Sequence, residues 1–109
     1  MGEAQSIGSF EEQVMLGVLR TSGDAYGMAI RRELERVTER EVAIGAVYAT
    51  LDRLESKGLV SSARGTEGPG RRVFKLTRGL RALAETRDAR DRLWSGIDLA
   101  TLNLAPRRT

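Results

Sequence analysis

Residues 42–60 read VAIGAVYATLDRLESKGLV, and this stretch decides the fold. Its apolar residues Val47, Leu51 and Leu54 recur at intervals of four and three, which is the spacing of one face of an α-helix. Gly58 stands where a helix C-terminus favours a residue in the left-handed conformation. The stretch therefore predicts a helix that ends just before this glycine.

Helical periodicity precedes this stretch, and a period of two follows it. The glycine-rich segment 65–70 is typical of a turn between two strands. In chain order the predicted elements are a helix from Ser9, a helix from Ala25, a short edge strand over 40–43, a helix over 45–57, a strand from Val60, a turn over 65–70, a strand over 71–76 and a helix over 77–99.

Composition excludes several classes of protein. The 109 residues suffice for one domain plus one further element, and they include neither cysteine nor histidine. Disulfides and most zinc or transition-metal sites are thereby excluded, and the usual general base is missing. No apolar run is long enough to cross a bilayer. These features predict a cytoplasmic protein that is not an enzyme, with no cofactor and no membrane partner.

The charge is distributed unevenly along the chain. The net charge is only +3, yet residues 44–81 carry eight basic against three acidic side chains. A localised basic segment is a plausible contact surface for the phosphates of double-stranded DNA, although a solvated protein surface has the same composition.

The stretch that decides the fold resembles the corresponding region of the PadR family of bacterial transcriptional regulators. The resemblance extends from about Phe10 to Leu83, and it implies a mainly α protein with a small β-hairpin (α+β), namely a winged helix-turn-helix with a C-terminal dimerisation helix. One departure is Ala43-Ile44, where the family has serine or proline, so the helix N-terminus lacks a side-chain cap. The residues that match the family pattern are Gly45, Val47, Tyr48, Leu51, Arg53, Leu54, Glu55, Gly58, Leu59 and Val60.

The implied function is a repressor that binds DNA as a homodimer and is released by a small-molecule effector. A helix that enters the major groove presents its N-terminal half to the base edges, and here that half is rich in small residues. The hairpin would contact the phosphate backbone or the minor groove. The candidate DNA-binding residues are Gly45, Ala46, Tyr48, Ala49, Thr50, Arg53, Lys57, Arg71, Arg72 and Lys75.

Four of these candidates, Tyr48, Arg53, Arg71 and Arg72, have structural alternatives. Thr50 is the one residue in this half that is expected to hydrogen-bond a base. Tyr48 could instead pack against the first or second helix, and Arg53 could pair with Glu33 or Glu35. For Arg71 and the neighbouring arginine, the alternative is a solvated surface.

The terminal helix predicts assembly. A helix of 23 residues is about 35 Å long, which is more than the rest of the chain can cover, so its apolar side chains should meet a second copy. Leu93, Trp94 and Ile97 are the candidates for a dimer interface or for a site that holds a hydrophobic small-molecule effector. The predicted domains are a flexible N-terminus (1–8), the winged helix-turn-helix (9–76), the dimerisation helix (77–104) and a tail (105–109).

A rival hypothesis is a winged helix that serves only as a protein-interaction module, without a DNA-binding role. No pair of residues in the sequence has the arrangement of a nucleophile and its base, which disfavours an enzyme.

Overall fold

The computed structural model of the chain describes residues 7–64 and 71–102. Within these residues three helices precede an antiparallel hairpin and a fourth helix follows it, so the predicted α+β winged helix-turn-helix is confirmed. The elements are α1 (Ser9–Arg20), α2 (Gly27–Thr38), α3 (Ile44–Ser56), β1 (Val60–Arg64), β2 (Arg72–Leu76) and α4 (Gly79–Trp94).

The hydrophobic core lies between α1, α2 and α3. The helix α1 is central, because it packs against α2, α3, β2 and α4. Each large aliphatic side chain buried here contributes about 1.5–3 kcal/mol, so the core holds α3 firmly against the other two helices. The largest fully buried side chains are Val14, Met15, Ile30, Val47, Leu51, Leu54 and Leu59.

The C-terminus of α3 has the predicted glycine ending. Gly58 adopts a left-handed φ of 77°, and its N–H donates to the carbonyl of Glu55 at 3.0 Å. The N–H of Leu59 donates to the carbonyl of Leu54 at 2.9 Å, and the Leu59 side chain is buried. This pair of bonds is a Schellman motif, and it turns the chain directly into β1.

The hairpin is joined to the helices by both side chains and backbone. Its strands pair from Val60 opposite Leu76 to Arg64 opposite Arg72. Phe74 is buried and Lys75 is exposed, as the period of two predicts. The N–H of Phe74 also donates to the carbonyl of Ala25 at 2.8 Å, which links β2 to the loop before α2. The predicted turn over 65–70 lies outside the described residues.

The edge strand predicted over residues 40–43 is not formed. The N–H of Val42 donates to Glu35 Oε2 at 2.8 Å, and its carbonyl accepts from Arg31 Nε at 2.8 Å. Since side chains of α2 occupy both polar groups of this backbone, Val42 has none left for pairing with a strand.

The terminal helix is shorter than predicted. It ends at Trp94 instead of Leu99, because Gly96 follows with a left-handed φ of 83°. Its 16 residues span about 24 Å. The predicted dimerisation segment 77–104 thus contains a helix only over its first two-thirds, followed by turns as far as residue 102.

The chain ends differ from the predicted boundaries at one point. Residues 7 and 8 pack with the helical domain instead of forming a flexible N-terminus. Ile7 packs against the core, and the N–H of Gly8 donates to Glu11 Oε1 at 3.0 Å. The predicted tail over 105–109 lies outside the described residues. No helix in the described part of the chain has the length and apolar character needed to cross a membrane.

Candidate nucleic-acid interface

The outer face of α3 is built from small residues. Gly45, Ala46 and Ala49 are all exposed on this helix. The helix begins after Ala43 without a side-chain cap, so the predicted loss of the cap is confirmed. A helix whose exposed side chains are small can bring its backbone close to another surface, which entry into a DNA groove requires.

Thr50 does not belong to this face. It is 2% exposed, and its hydroxyl accepts a hydrogen bond from Arg53 Nη2 at 3.3 Å. Thr50 lies three residues after Val47 and four before Leu54, which places it on the buried stripe of the helix. Its burial is at odds with the prediction that Thr50 hydrogen-bonds a base.

Tyr48 packs against α2, which was the structural alternative to a contact with DNA, and it remains partly exposed. A Cβ atom added to Gly27 would lie 2.4 Å from Tyr48 Cζ and 2.5 Å from its hydroxyl oxygen, so the ring covers the first residue of α2. The side chain is still 39% exposed. Tyr48 therefore lies where α2 and α3 meet and presents its edge to the solvent.

The close approach of Tyr48 to α2 leads to a prediction. Gly27→Ala should destabilise the fold by about 1–3 kcal/mol, because the ring must move from its site. Gly45→Ala is the matched control: an added Cβ there meets nothing within 4 Å, so helix propensity should leave its stability equal or slightly higher. Urea unfolding of both variants measures the difference. Equal stabilities would mean that Tyr48 does not rest on Gly27.

Glu11 on α1 binds two candidate DNA-binding residues of α3. Lys57 Nζ lies 3.1 and 2.9 Å from its two carboxylate oxygens, and Arg53 Nε lies 3.5 Å from Oε2. Burial raises the pKa of Glu11, but the hydrogen bonds from Gly8 N–H, Lys57 and Arg53 outweigh it and lower the pKa overall. Arg53 thus pairs with Glu11 and not with Glu33 or Glu35, and the charge of Lys57, whose side chain is 32% exposed, is paired with the same carboxylate.

Arg72 is also held within the protein. Its guanidinium donates to Glu55 Oε1 at 2.8 Å and to Asp52 Oδ1 at 3.4 Å, and it lies over the Phe74 ring. Asp52 is an exposed carboxylate of α3. Arg72 partly neutralises it and ties the hairpin to α3, and its predicted contact with DNA stays a prediction.

Two arginines enclose Tyr26 at the start of α2. The Arg71 guanidinium lies 3.9 Å from the centre of the Tyr26 ring, and that of Arg32 lies 5.8 Å from it. Arg32 Nη2 also donates to the Tyr26 hydroxyl at 2.8 Å. These distances are typical of cation–π contacts, which orient a guanidinium without removing its charge. Tyr26 therefore contacts one arginine next to the hairpin strand β2 and one arginine of α2.

Arg71 and Arg32 are among the arginines that have no carboxylate partner in the described part of the chain. In the segments 7–64 and 71–102, neither makes an ion pair, whereas Arg20 and Arg36 are both bound to Glu33. Those two contacts lower the pKa of Glu33 to about 2. Lys75 on β2 is exposed as predicted. Sequence reasoning missed Tyr26 and Arg32; the spacing of six residues gave no sign that they lie together.

The outer part of α4 forms an apolar surface at a distance from α3. Leu93 is 75% exposed and Trp94 is 54% exposed, and Ile97 in the following turn is exposed as well. Nearer the start of the helix, a groove of about 250 Å³ runs between α1 and α4 and includes the exposed Leu16, Leu19 and Leu80. Sequence analysis had singled out the three residues at the outer end but not the leucines of α1. We call this whole surface the α1–α4 apolar surface.

Comparison with known proteins gives consistent results. The family model of PadR-like transcriptional regulators matches residues 15–85. The transcriptional regulator Rv3488 of Mycobacterium tuberculosis is 40% identical over 84 residues, which cover 73% of this chain and 78% of that protein.

Solved structures show the same fold. A PadR-like transcription factor from Bacteroides fragilis is 29% identical, with a TM-score of 0.64 and coverage of 86% of each chain. RosR of H. salinarum is 24% identical, with a TM-score of 0.69 and coverage of 94% of this chain and 90% of that one. At that identity the second likeness concerns the fold alone.

Proposed function

The chain belongs to the PadR-like family of transcriptional regulators, and from this premise we propose that it is a repressor that binds operator DNA as a homodimer. As a transcriptional regulator it is not an enzyme. We place its action in the cytoplasm, on double-stranded DNA, with release by a hydrophobic small molecule.

One combined observation carries the proposal. The helix α3 has exposed small residues, and two arginines of the domain have no carboxylate partner in the described residues. Gly45, Ala46 and Ala49 leave α3 free to approach base edges. Arg71 and Arg32 contact Tyr26, the residue before the glycine that Tyr48 of α3 covers, and they have no carboxylate partners in the described residues. Small residues alone would suit a helical protein partner equally well. Two guanidiniums that contact one ring without carboxylate partners in the described residues favour a polyanion.

The surface of α3 suggests how such a protein would select its operator. With Thr50 buried, the groove-facing residues offer methyl groups and backbone instead of hydrogen-bonding side chains. Ala46 and Ala49 suit contact with thymine methyl groups. Phosphate contacts and the shape of the DNA would therefore supply much of the affinity and part of the selectivity.

Dimerisation is proposed from the α1–α4 apolar surface. The chain leaves Leu16, Leu19 and Leu80 exposed along the groove, with Leu93 and Trp94 exposed further along α4. Exposed large apolar side chains of this kind are typical of an interface. Two copies joined there would present two α3 helices, as operators with two half-sites require.

The effector is proposed to be a hydrophobic small molecule with an aromatic ring. Trp94 offers a large exposed aromatic face at the outer end of α4, and Leu93 and Ile97 are exposed beside it along the chain. Binding of such a molecule between the copies would change how they are joined, and with it the position of the two α3 helices.

Selection of binding sites from a random duplex library tests the proposal and separates it from a protein-interaction module. A DNA-binding dimer should enrich a two-fold related motif, and the enriched duplex should bind more tightly than a scrambled duplex of the same composition. A chain that enriches nothing and binds random duplex no better than a neutral protein at low salt would be an interaction module instead.

Arg71 and Arg32 should contribute to affinity through phosphate contacts. We expect Arg71→Ala to weaken binding to operator and random duplex alike and to reduce the slope of log affinity against log salt by about 0.9. Arg32→Ala in addition should reduce it by about 0.9 again. Arg92→Ala, an exposed arginine of α4, is the matched control and should leave the slope unchanged. Titrations at several salt concentrations measure these slopes, and an unaltered slope in the double variant would place both arginines away from DNA.

A further inference from the structure

The direction of α4 is determined at two places. Its first turns are buried against the rest of the domain through Gly79, Ala82 and Leu83. Further along, Arg90 Nη1 lies 2.5 and 2.6 Å from the two carboxylate oxygens of Glu12 on α1. The second contact lies about 11 Å beyond the first along the helix axis. Two separate contacts fix the orientation of a helix, whereas a single contact would let the helix rotate about that point.

The contact between Arg90 and Glu12 is selective within α4. The other arginine pairs of this helix, Arg81 with Glu85 and Arg87 with Asp91, are internal to it. In the described residues, Arg90 makes the one ion pair that joins α4 to another element. The side chain of Glu12 is only 11% exposed, so removal of Arg90 would leave a nearly buried carboxylate without its partner.

Glu11 and Glu12 connect α1 to two different helices. Glu11 binds Lys57 and Arg53 at the end of α3, and Glu12 binds Arg90 on α4. Adjacent residues of a helix point about 100° apart, which is why one carboxylate faces α3 and the next faces α4. The N-terminal turn of α1 therefore sets the angle between the helix that faces DNA and the helix that carries Leu93 and Trp94.

We propose that Arg90 is a positioning residue that, through Glu12, sets the separation of the two α3 helices in the dimer. This inference rests on the proposed dimer. A rotation of about 10° about Leu83 moves Trp94, about 17 Å further along the axis, by about 3 Å, which is close to the rise of about 3.4 Å per base pair. A dimer in which α4 is held less firmly would thus bind half-sites at several spacings.

The absence of cysteine makes a direct test available. Ser56→Cys places a single thiol on the exposed C-terminal end of α3, and a nitroxide attached to it reports the distance between the two α3 helices of a dimer. Double electron–electron resonance should give one narrow distance distribution for the otherwise unchanged full chain. Arg90→Gln should at least double its width. Arg81→Gln is the matched control, because it removes a pair internal to α4 at a residue that does not line the groove between α1 and α4.

The possible outcomes separate the inference from the proposed function. A full-length chain that shows no distance between labels is a monomer, and the proposed dimer fails. A dimer whose distribution is equally narrow with and without Arg90→Gln overturns the positioning role alone. If Arg90→Gln does not fold, Arg90→Lys keeps the charge and should broaden the distribution less; an unchanged width there also overturns the role.

A second readout uses the duplex enriched by the unchanged protein. Insertion of one base pair between its half-sites should weaken binding of the unchanged protein at least tenfold, and that of Arg90→Gln less than threefold. A substitution that only lowers the stability of the fold would weaken binding equally to duplexes of both spacings. Equal weakening would therefore count against the positioning role.

Discussion

Ala49→Leu is expected to lower the affinity for the enriched operator by at least a hundredfold, which corresponds to about 2.7 kcal/mol. Ala49 is exposed in the middle of the α3 face that would lie against base edges. A leucine there would meet the floor of the groove and force the helix outward, so the contacts on both sides would be lost together. Fluorescence anisotropy with labelled operator measures the effect, and Ala46→Leu should behave in the same way.

The same substitution should not affect the fold. Leucine and alanine have similar helix propensities, and the added side chain points into solvent in the free protein, so the melting temperature should change by no more than about 2 °C. Ser56→Leu is the matched control, since it adds an exposed leucine at the far end of the same helix and should keep affinity within about threefold. Operator binding by Ala49→Leu at full strength would show that this face of α3 does not enter the groove.

Local signals in the sequence were sufficient to predict the elements that carry this face. The apolar spacing of Val47, Leu51 and Leu54 and the glycine at position 58 predict α3 to within one residue at each end. Helix periodicity and C-terminal glycine endings depend on residues a few positions apart, so a single sequence contains them. The period of two after Gly58 predicted the hairpin for the same reason.

Thr50 shows a prediction that could have been better. Its spacing from Val47 and Leu54 already placed it on the apolar stripe, and the hydroxyl group drew attention to base recognition instead. A small polar side chain can be buried when it has a hydrogen-bond partner, and Arg53 provides one. Periodicity deserved more weight there than residue type.

Other features depend on contacts between distant parts of the chain. Lys57 is bound by Glu11, which precedes it by 46 residues, and Arg90 is bound by Glu12 across 78. The edge strand over 40–43 fails because side chains of α2 occupy the backbone of Val42. No local pattern encodes such pairings, so the sequence showed which residues are basic but not which of them are already neutralised.

The exposed end of α4 provides the most direct test of assembly. Leu93→Glu is expected to convert the dimer to a monomer and to weaken operator binding at least thirtyfold. Leu93 is 75% exposed in the single chain, so a carboxylate there costs the folded monomer little. At the centre of an apolar interface the same carboxylate would be buried without a partner, which is strongly unfavourable. The monomer would also lose the gain in effective concentration that a linked second half-site provides.

Light scattering combined with size-exclusion chromatography measures the mass, and Arg92→Glu is the matched control. It introduces the same charge at an exposed position on the adjacent residue, which points about 100° away around the helix. That variant should remain dimeric and keep operator affinity within about threefold, apart from a general charge effect that salt screens. If Leu93→Glu stays dimeric, the interface lies elsewhere, and the groove between α1 and the start of α4 becomes its remaining location. If both variants are monomeric, charge rather than the lost leucine is responsible, and the apolar character of this surface does not drive assembly.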